Sequence, residues 1–273
     1  MKSKQSSKSH HSQMLKQIFA HPIAHRGLHQ VAHGIAENSK AAFIAAIVNR
    51  FGIECDIQLT GDDQAIVFHD EKLDRLTPQS GMVADISAGQ ASHIPLKESA
   101  DHDHILSFQQ LLALVDGRVP LIIELKSQEA RNAQLANAVH HAAKDYMGVL
   151  CFKSFDPDLI RQLNRLKDKW PKGIVVERET PEGKSAATGF ALRHLLHLPL
   201  TRPDFLSCDV DSLDLPAVRL YRATGRQVMS WTINSKARLE KAKAEADQVV
   251  FEDIDPTTGS PLPDQRVKEL VSN

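Results

Sequence analysis

The chain alternates between short apolar runs and longer stretches in which apolar residues recur at helical spacing. Nine of the runs are bounded by Gly, Pro or polar residues and have the length and composition of strands. They are Pro22–Gly27, Ile53–Leu59, Ala65–His69, Pro120–Lys126, Val149–Ser154, Gly173–Glu177, Asp204–Asp209, Gln227–Thr232 and Gln248–Glu252. Strands that alternate with helices are typical of a parallel sheet. The pattern therefore predicts an α/β protein.

The third run does not fit a parallel arrangement. Only Thr60–Gln64 separates it from the second run, whereas a parallel crossover needs about a dozen residues. We expect Ala65–His69 to fold back antiparallel, as a β-hairpin excursion after the second strand. The other eight runs are the number that a (β/α)8 TIM barrel requires. Residues 70–106 come next, are mostly polar, and are interpreted as a small insertion within the barrel.

Composition limits the location and the partners. Residues 1–20 are interpreted as a flexible N-terminal tail and residues 21–273 as the barrel. The chain has no apolar signal segment and no run of the length that spans a membrane, and its three cysteines lie in apolar runs, so we expect a cytoplasmic protein with buried free thiols. Lys and Arg total 33 against 34 Asp and Glu, which argues against nucleic acid as a partner.

Three acidic residues stand at alternate positions of apolar runs. Glu54 and Asp56 share one face of the second strand, and Glu124 occupies the same kind of position near the end of the next barrel strand. Unpaired charges are costly in a core, but a bound cation would neutralise them. Since all three offer only oxygen ligands, we expect one divalent cation, Mg2+ or Ca2+, and not zinc. The alternative is a structural ion-pair network with Arg26 and Lys126.

Two histidines lie near the ends of strand candidates. The first run ends in His25-Arg26-Gly27, and His69 ends the folded-back strand, which returns it to about the level of Glu54 and Asp56. Two imidazoles beside a cation site, with Arg26 and Lys126 as a cationic pair, suit phosphoryl transfer near neutral pH. The chain has 14 histidines, and the others are interpreted as ordinary surface groups.

The same residues carry a family resemblance. The segments are His25-Arg26-Gly27, Glu37-Asn38-Ser39, Glu54-Cys55-Asp56, Val67-Phe68-His69-Asp70, Ile123-Glu124-Leu125-Lys126, Ser154-Phe155 and Ser230-Trp231-Thr232. In this order, over about residues 22 to 256, they resemble the motifs of the glycerophosphodiester phosphodiesterase family. The resemblance implies a TIM barrel with a small insertion after the second strand. It also implies metal-dependent hydrolysis of glycerophosphodiesters to sn-glycerol 3-phosphate and an alcohol.

The resemblance further implies a role for each candidate residue. Those that would hold the cation are Glu54, Asp56 and Glu124; the acid/base pair would be His25 and His69; the substrate contacts would be Arg26, Lys126, Asn38 and Trp231. Three of the substrate contacts have simpler interpretations. Lys126 could be an ion-pair partner of Glu124, Asn38 could cap the first helix, and Trp231 could be part of the barrel core.

Two other functions fit the same scaffold. One is a lysophospholipase D-like phosphodiesterase, which would need an apolar rim for acyl chains. The other is a catalytically inactive barrel that binds a phosphorylated ligand. The inactive barrel would be expected to lack a histidine or a metal carboxylate, and this sequence has all five.

Overall fold

The computed structural model describes residues 11–100, 102–181 and 183–263, and within these ranges the chain forms nine strands. They are β1 Ile23–Ala24, β2 Gly52–Leu59, β3 Ala65–Val67, β4 Leu121–Leu125, β5 Leu150–Ser154, β6 Lys172–Val176, β7 Phe205–Asp209, β8 Gln227–Ile233 and β9 Gln248–Phe251. Each strand lies on one of the nine predicted runs, with ends that differ by a few residues at most.

Eight of these strands form a closed parallel barrel. The order is β1-β9-β8-β7-β6-β5-β4-β2, and β1 also pairs with β2 to complete the circle. The predicted TIM barrel is therefore confirmed. The carboxyl ends of all eight strands open at one face of the molecule, where barrels of this type hold their functional residues.

The ninth strand, β3, is the predicted excursion. It pairs antiparallel with β2, with Ile57 opposite Val67 and Leu59 opposite Ala65. The turn is closed by Thr60, whose backbone N–H donates to the Gln64 carbonyl at 2.9 Å. This hairpin carries the chain back along β2, so residues just after β3 return to the level at which the acidic residues of β2 lie.

The helices of the described residues lie around the barrel and over its two ends. They are α1 at residues 11–18, α2 Lys40–Val48, α3 Ala88–Ala91, α4 Phe108–Val115, α5 Asn132–Ala143, α6 Pro157–Leu166, α7 Ala186–Arg193, α8 Leu198–Thr201, α9 Pro216–Ala223 and α10 Lys236–Glu245. Local sequence sets several starts: the Ser39 hydroxyl accepts from the Ala42 N–H before α2, and Asp156 precedes Pro157 at the start of α6. None of the helices within the described ranges is long and apolar enough to cross a bilayer.

The N-terminal region differs from the predicted tail. Residues 11–18 form helix α1, in which Met14 and Ile18 are buried on one side, and Phe19 packs edge-on against Phe205 with ring centroids 5.9 Å apart. Phe205 is the first residue of β7, so α1 covers the amino end of the barrel. For residues 11–20 the tail interpretation is therefore wrong, because apolar residues spaced four apart bury a helix face. Residues 1–10 lie outside the described ranges.

Residues 70–100 and 102–106 pack over the opposite, carboxyl end. Their apolar side chains, scattered in the sequence, join Ile66 and Phe68 of the hairpin in a small core separate from that of the barrel. The members of this core from the segment are Leu73, Leu76, Val83, Ala91, Ile94, Leu96 and Ile105. The interpretation of residues 70–106 as an insertion stays a prediction. The structure shows in addition that this segment has a small apolar core, which it shares with the hairpin.

Candidate active site

Three carboxylates from two strands meet inside the barrel mouth. Glu54 and Asp56 lie on β2 and Glu124 on β4, and the register sets Asp56 directly opposite Glu124. One oxygen from each of the three lies within 4.8 Å of the others, and all three residues are buried. Cys55, between the two acids of β2, faces the helices and belongs to the main hydrophobic core. The acidic triad, as we call this group, thus arises from strand alternation plus register.

Asp56 is held by one amide and two cations. Asn38 Nδ2 donates to its Oδ2 at 2.9 Å, Lys126 Nζ lies 2.8 Å from Oδ1, and Arg26 Nε lies 3.5 Å from Oδ2. Burial raises the pKa of Asp56, but Lys126, His69 and Arg26 together bring it well below its usual range. Asp56 is therefore ionised near neutral pH.

Glu124 and Glu54 share a second lysine, Lys153. Its Nζ lies 2.7 Å from Glu124 Oε2 and 3.0 Å from Glu54 Oε1. Glu124 also pairs with Lys126. Burial raises the pKa of Glu124, and the ammonium groups of Lys126 and Lys153 more than reverse this, leaving the pKa low. Lys153 was not among the predicted site residues.

The triad fits a hard divalent cation. All of its donor atoms are carboxylate oxygens, the ligands preferred by Mg2+ and Ca2+. Glu54 is fully buried, and its Oε1 has no hydrogen-bond partner among the described residues apart from the ion pair with Lys153. Its Oε2 accepts from the backbone N–H of Arg26 at 3.1 Å. A buried carboxylate oxygen with an unused lone pair is consistent with a metal ligand.

Each of the two predicted histidines has a carboxylate partner. His25 Nδ1 lies 2.7 Å from Glu252 Oε2, and His69 Nδ1 lies 2.6 Å from Asp70 Oδ1. An Nδ1–H that donates to the carboxylate fixes the ring and leaves Nε2 for another partner. Burial raises the pKa of Glu252, but the hydrogen bond and charge of His25 outweigh this effect, so the pKa is lowered overall. For Asp70, burial is likewise outweighed by hydrogen bonds from Arg75 and His69, which bring its pKa to about 2. Both carboxylates are thus ionised near neutral pH.

A charged network joins the insertion to the barrel mouth. Arg75 donates to Asp70 Oδ2 at 2.7 Å and to Glu37 Oε2 at 2.8 Å. Glu37 in turn accepts from Arg26 NH1 at 2.7 Å. Arg26 adopts a left-handed backbone with φ of 53°, and Gly27 follows with φ of 77°. The network therefore connects the carboxylate partner of His69 with the arginine nearest the triad.

Two of the residues predicted to bind substrate, Asn38 and Trp231, make contacts within the protein. Asn38 is buried, and its side chain is engaged at both ends by Asp56, since it also accepts from the Asp56 N–H at 3.3 Å. Trp231 is half-buried; its Nε1 donates to the Ser207 carbonyl at 3.1 Å, and its ring packs edge-on against Phe155 with centroids 5.7 Å apart. Asn38 thus supports a triad carboxylate, and the roles of both residues toward a substrate stay predictions.

Space for a ligand adjoins the second histidine. A cavity of about 390 Å³ is lined by His69, Asp70, Lys126, Gln58 and Phe155, among others. Next to it lies a larger groove of about 790 Å³, which shares Glu71, Ser127 and Phe155 with the cavity. Its further walls include Met82, Pro157, Pro181 and Leu192. The small cavity beside His69, which is lined largely by polar residues, thus adjoins a partly apolar groove.

Sequence comparison decides the family. Residues 25–255 match the family described as the Glycerophosphoryl diester phosphodiesterase family. The chain belongs to this family. A glycerophosphodiester phosphodiesterase of Caldanaerobacter subterraneus subsp. tengcongensis is 32% identical over 130 residues, which cover 45% of this chain and 52% of the relative. The family assignment makes the chain a phosphoric diester hydrolase of the glycerophosphodiester phosphodiesterase class.

Solved structures of similar fold agree with the barrel. A phosphodiesterase of Oleispira antarctica, in complex with the product sn-glycerol-3-phosphate, aligns with a TM-score of 0.72 at 19% identity and covers 92% of this chain and 96% of its own. A glycerophosphodiester phosphodiesterase of Thermotoga maritima aligns with a TM-score of 0.64 at 23% identity, with coverage of 92% and 96%. At these identities the alignments establish the fold.

Three residues of the site were missed from the sequence: Lys153, Glu252 and Arg75. Lys153 carried a signal, since it is a charged residue at an alternate position of an apolar strand, like the three acids. Glu252 was included in the last predicted strand but had no visible partner, because His25 is 227 positions away. Arg75 lies in the segment interpreted as a polar insertion, where nothing local distinguishes it.

Proposed function

We propose that the chain hydrolyses glycerophosphodiesters to sn-glycerol 3-phosphate and an alcohol, with two histidines as acid and base beside one divalent cation. A single observation carries this proposal: the acidic triad and two histidine–carboxylate pairs converge at the mouth of a barrel from this family. The bound product named for the Oleispira antarctica neighbour supports the choice of product.

The cation would be Mg2+ or Ca2+, held by Glu54, Asp56 and Glu124. When bound, it would supply positive charge to the phosphate oxygens and stabilise the charge that develops during the reaction. The oxygen-only donor set and the burial of all three carboxylates support a hard ion at this position.

Arg26 and Lys126 would orient the phosphate. Both are part-buried at the mouth, with side chains 19% and 18% exposed, and Lys126 lines the small cavity beside His69. Each of them already contacts Asp56, so a phosphate that they bind lies next to the triad. Because both cations are fixed before substrate arrives, little reorganisation is needed on binding.

The proton transfers would be divided between the two histidines. Nε2 of His25 removes a proton from the attacking oxygen, which is either water or the neighbouring glycerol hydroxyl, as that oxygen bonds to phosphorus. If the glycerol hydroxyl attacks, a cyclic phosphate forms; water then opens the ring to glycerol 3-phosphate, with His69 taking the proton of the water and His25 returning its proton to the glycerol oxygen. His69 gives its proton to the oxygen of the leaving alcohol as the bond from phosphorus to that oxygen breaks. The ionised Asp70 beside His69 stabilises the imidazolium that this acid role requires.

The larger groove bears on a second candidate substrate class, the lysophospholipids. Its walls of Met82, Phe155, Pro157 and Leu192 would accept an acyl chain, as a lysophospholipase D-like enzyme requires. Glu71 and Asp156 in the same groove instead suit a cationic head group such as choline. Comparing turnover of glycerophosphocholine with that of lysophosphatidylcholine separates the two classes.

A coupled assay for glycerol 3-phosphate tests the main proposal. We expect release from glycerophosphocholine that is abolished by EDTA and restored by Mg2+ or Ca2+. A folded protein that binds substrate but releases no glycerol 3-phosphate with either ion would refute the hydrolase and favour the inactive barrel.

A further inference from the structure

Lys153 is a buried cation inside the barrel. It is the fourth residue of β5, in register with Glu124 on β4 and Gly173 on β6, and its side chain is 2% exposed. An ammonium at such a position is tolerated only when counter-charges are close. The two carboxylates that it contacts, Glu54 and Glu124, are the two triad members nearest to it.

The contacts of Lys153 differ from those of the other lysine at the mouth. Lys126 is 18% exposed and lines the cavity beside His69, where a substrate can reach it. Lys153 is not among the residues that line that cavity, and its described ion pairs are with the triad alone. It is therefore placed to balance charge within the barrel and not to bind phosphate.

The triad is already compensated by side chains. Glu54 has Lys153, Asp56 has Lys126 and Arg26, and Glu124 has both lysines. The three negative charges of the triad thus face three positive charges, of which Arg26 is shared with Glu37. A divalent cation that enters this cluster would meet carboxylates that are partly neutralised, and the buried ammonium of Lys153 would repel it.

We propose that Lys153 is an internal counter-cation of the metal site. It holds Glu54 and Glu124 together when no ion is bound, and it lowers the affinity of the site for a divalent cation. The inference rests on the proposed cation site. Beyond that site, we infer that Lys153 makes the chain bind its ion weakly and allows it to fold without the ion.

Calorimetric titration with Mg2+ and with Ca2+ provides the test, on the full chain stripped by EDTA and dialysed. Lys153→Met removes the charge at similar volume. We expect it to bind the ion at least about tenfold more tightly than the wild type, since a nearby like charge is lost. We also expect its melting temperature to fall in EDTA and to rise more on adding the ion than that of the wild type.

Lys172→Met is the matched control. Lys172 is also a buried lysine, on the adjacent strand β6, but it pairs with Asp168 at 2.7 Å and donates to the Trp170 carbonyl at 3.0 Å. Its loss should lower stability without changing the affinity for the ion. Lys153→Gln serves as a second neutral variant. Should neither neutral variant fold, the wild type decides, because the inference requires it to keep its circular dichroism spectrum in EDTA.

The outcomes separate the two proposals. Unchanged or weaker ion binding in folded Lys153→Met or Lys153→Gln overturns the role of Lys153 and leaves the cation site standing. The absence of binding in the wild type and in both variants overturns the cation site as well. Unfolding of the wild type in EDTA overturns the claim that Lys153 supports the triad without an ion.

Discussion

The pair formed by His25 and Glu252 offers the sharpest test of the proposed chemistry. Glu252 follows the last strand and holds Nδ1 of His25 at 2.7 Å, and both side chains are largely buried, at 22% and 14% exposed. If His25 accepts a proton in the reaction, the ionised Glu252 stabilises the imidazolium that forms. Glu252→Gln keeps a possible hydrogen bond and removes the charge, whereas Glu252→Ala removes both.

The expected size follows from the geometry. A hydrogen bond to a charged group contributes about 1.5–3 kcal/mol, and each 1.4 kcal/mol corresponds to roughly a tenfold change in rate. We therefore expect kcat to fall by about tenfold in Glu252→Gln and by about a hundredfold in Glu252→Ala. KM should change little, because in the proposed mechanism Glu252 acts through His25.

The assay is steady-state release of glycerol 3-phosphate, with melting temperature and ion affinity measured on the same preparations. Glu240→Gln, an exposed glutamate on the neighbouring helix α10, is the control and should leave kcat unchanged. Wild-type kcat in a folded Glu252→Ala would remove Glu252 from the mechanism. A parallel loss of melting temperature and rate would instead assign it a structural role.

Three further predictions follow from the site. His69→Ala should keep the ion in calorimetry and lose at least about a hundredfold in kcat, whereas Glu54→Ala should lose both, and an unchanged rate in His69→Ala would exclude that residue from catalysis. The pKa of Asp70 is lowered to about 2, so its contribution to stability is complete above its ordinary pKa of 3.8 and is lost as the pH falls from about 4 to 2. In Asp70→Asn, the free energy of unfolding measured in acid denaturation should therefore depend less on pH within that window and be unchanged in its pH dependence above it. Gly27→Ala should destabilise the fold by about 2–4 kcal/mol in urea titrations, since φ is 77° and the added Cβ would lie 2.8 Å from the Ala42 Cβ; less than about 0.5 kcal/mol would contradict this.

The barrel was predictable because its signal is local. Each strand is a short apolar run whose ends are marked by Gly, Pro or polar residues, and the five residues of Thr60–Gln64 leave only a hairpin as the connection to the third run. The acidic triad followed from the same local rule, since Glu54 and Asp56 share a face by alternation. Bringing Glu124 to them needed only the register of neighbouring parallel strands, which a closed barrel restricts.

The remainder of the site depends on contacts that the sequence does not encode locally. Glu252 reaches His25 only because the first and last strands become neighbours when the barrel closes. Arg75 is 38 positions from Glu37, and the polar residues around it in the sequence are typical of any surface arginine. Helix α1 was missed for a different reason: its apolar positions are few, and the charged and polar residues before them dominated the interpretation.

Lys153 shows most clearly what a rule about buried charge can and cannot decide. A lysine at an inward position of β5 breaks the pattern of an apolar strand as plainly as Glu54 does on β2. The sequence therefore indicates that this position has a partner, but not whether the partner is a substrate phosphate or a protein carboxylate. That choice is made by depth: Lys126 directly follows β4 and lines the cavity, whereas Lys153 lies one residue before the end of β5, level with Glu124. Its counter-charges are consequently the triad itself, and any ion that binds there must compete with it.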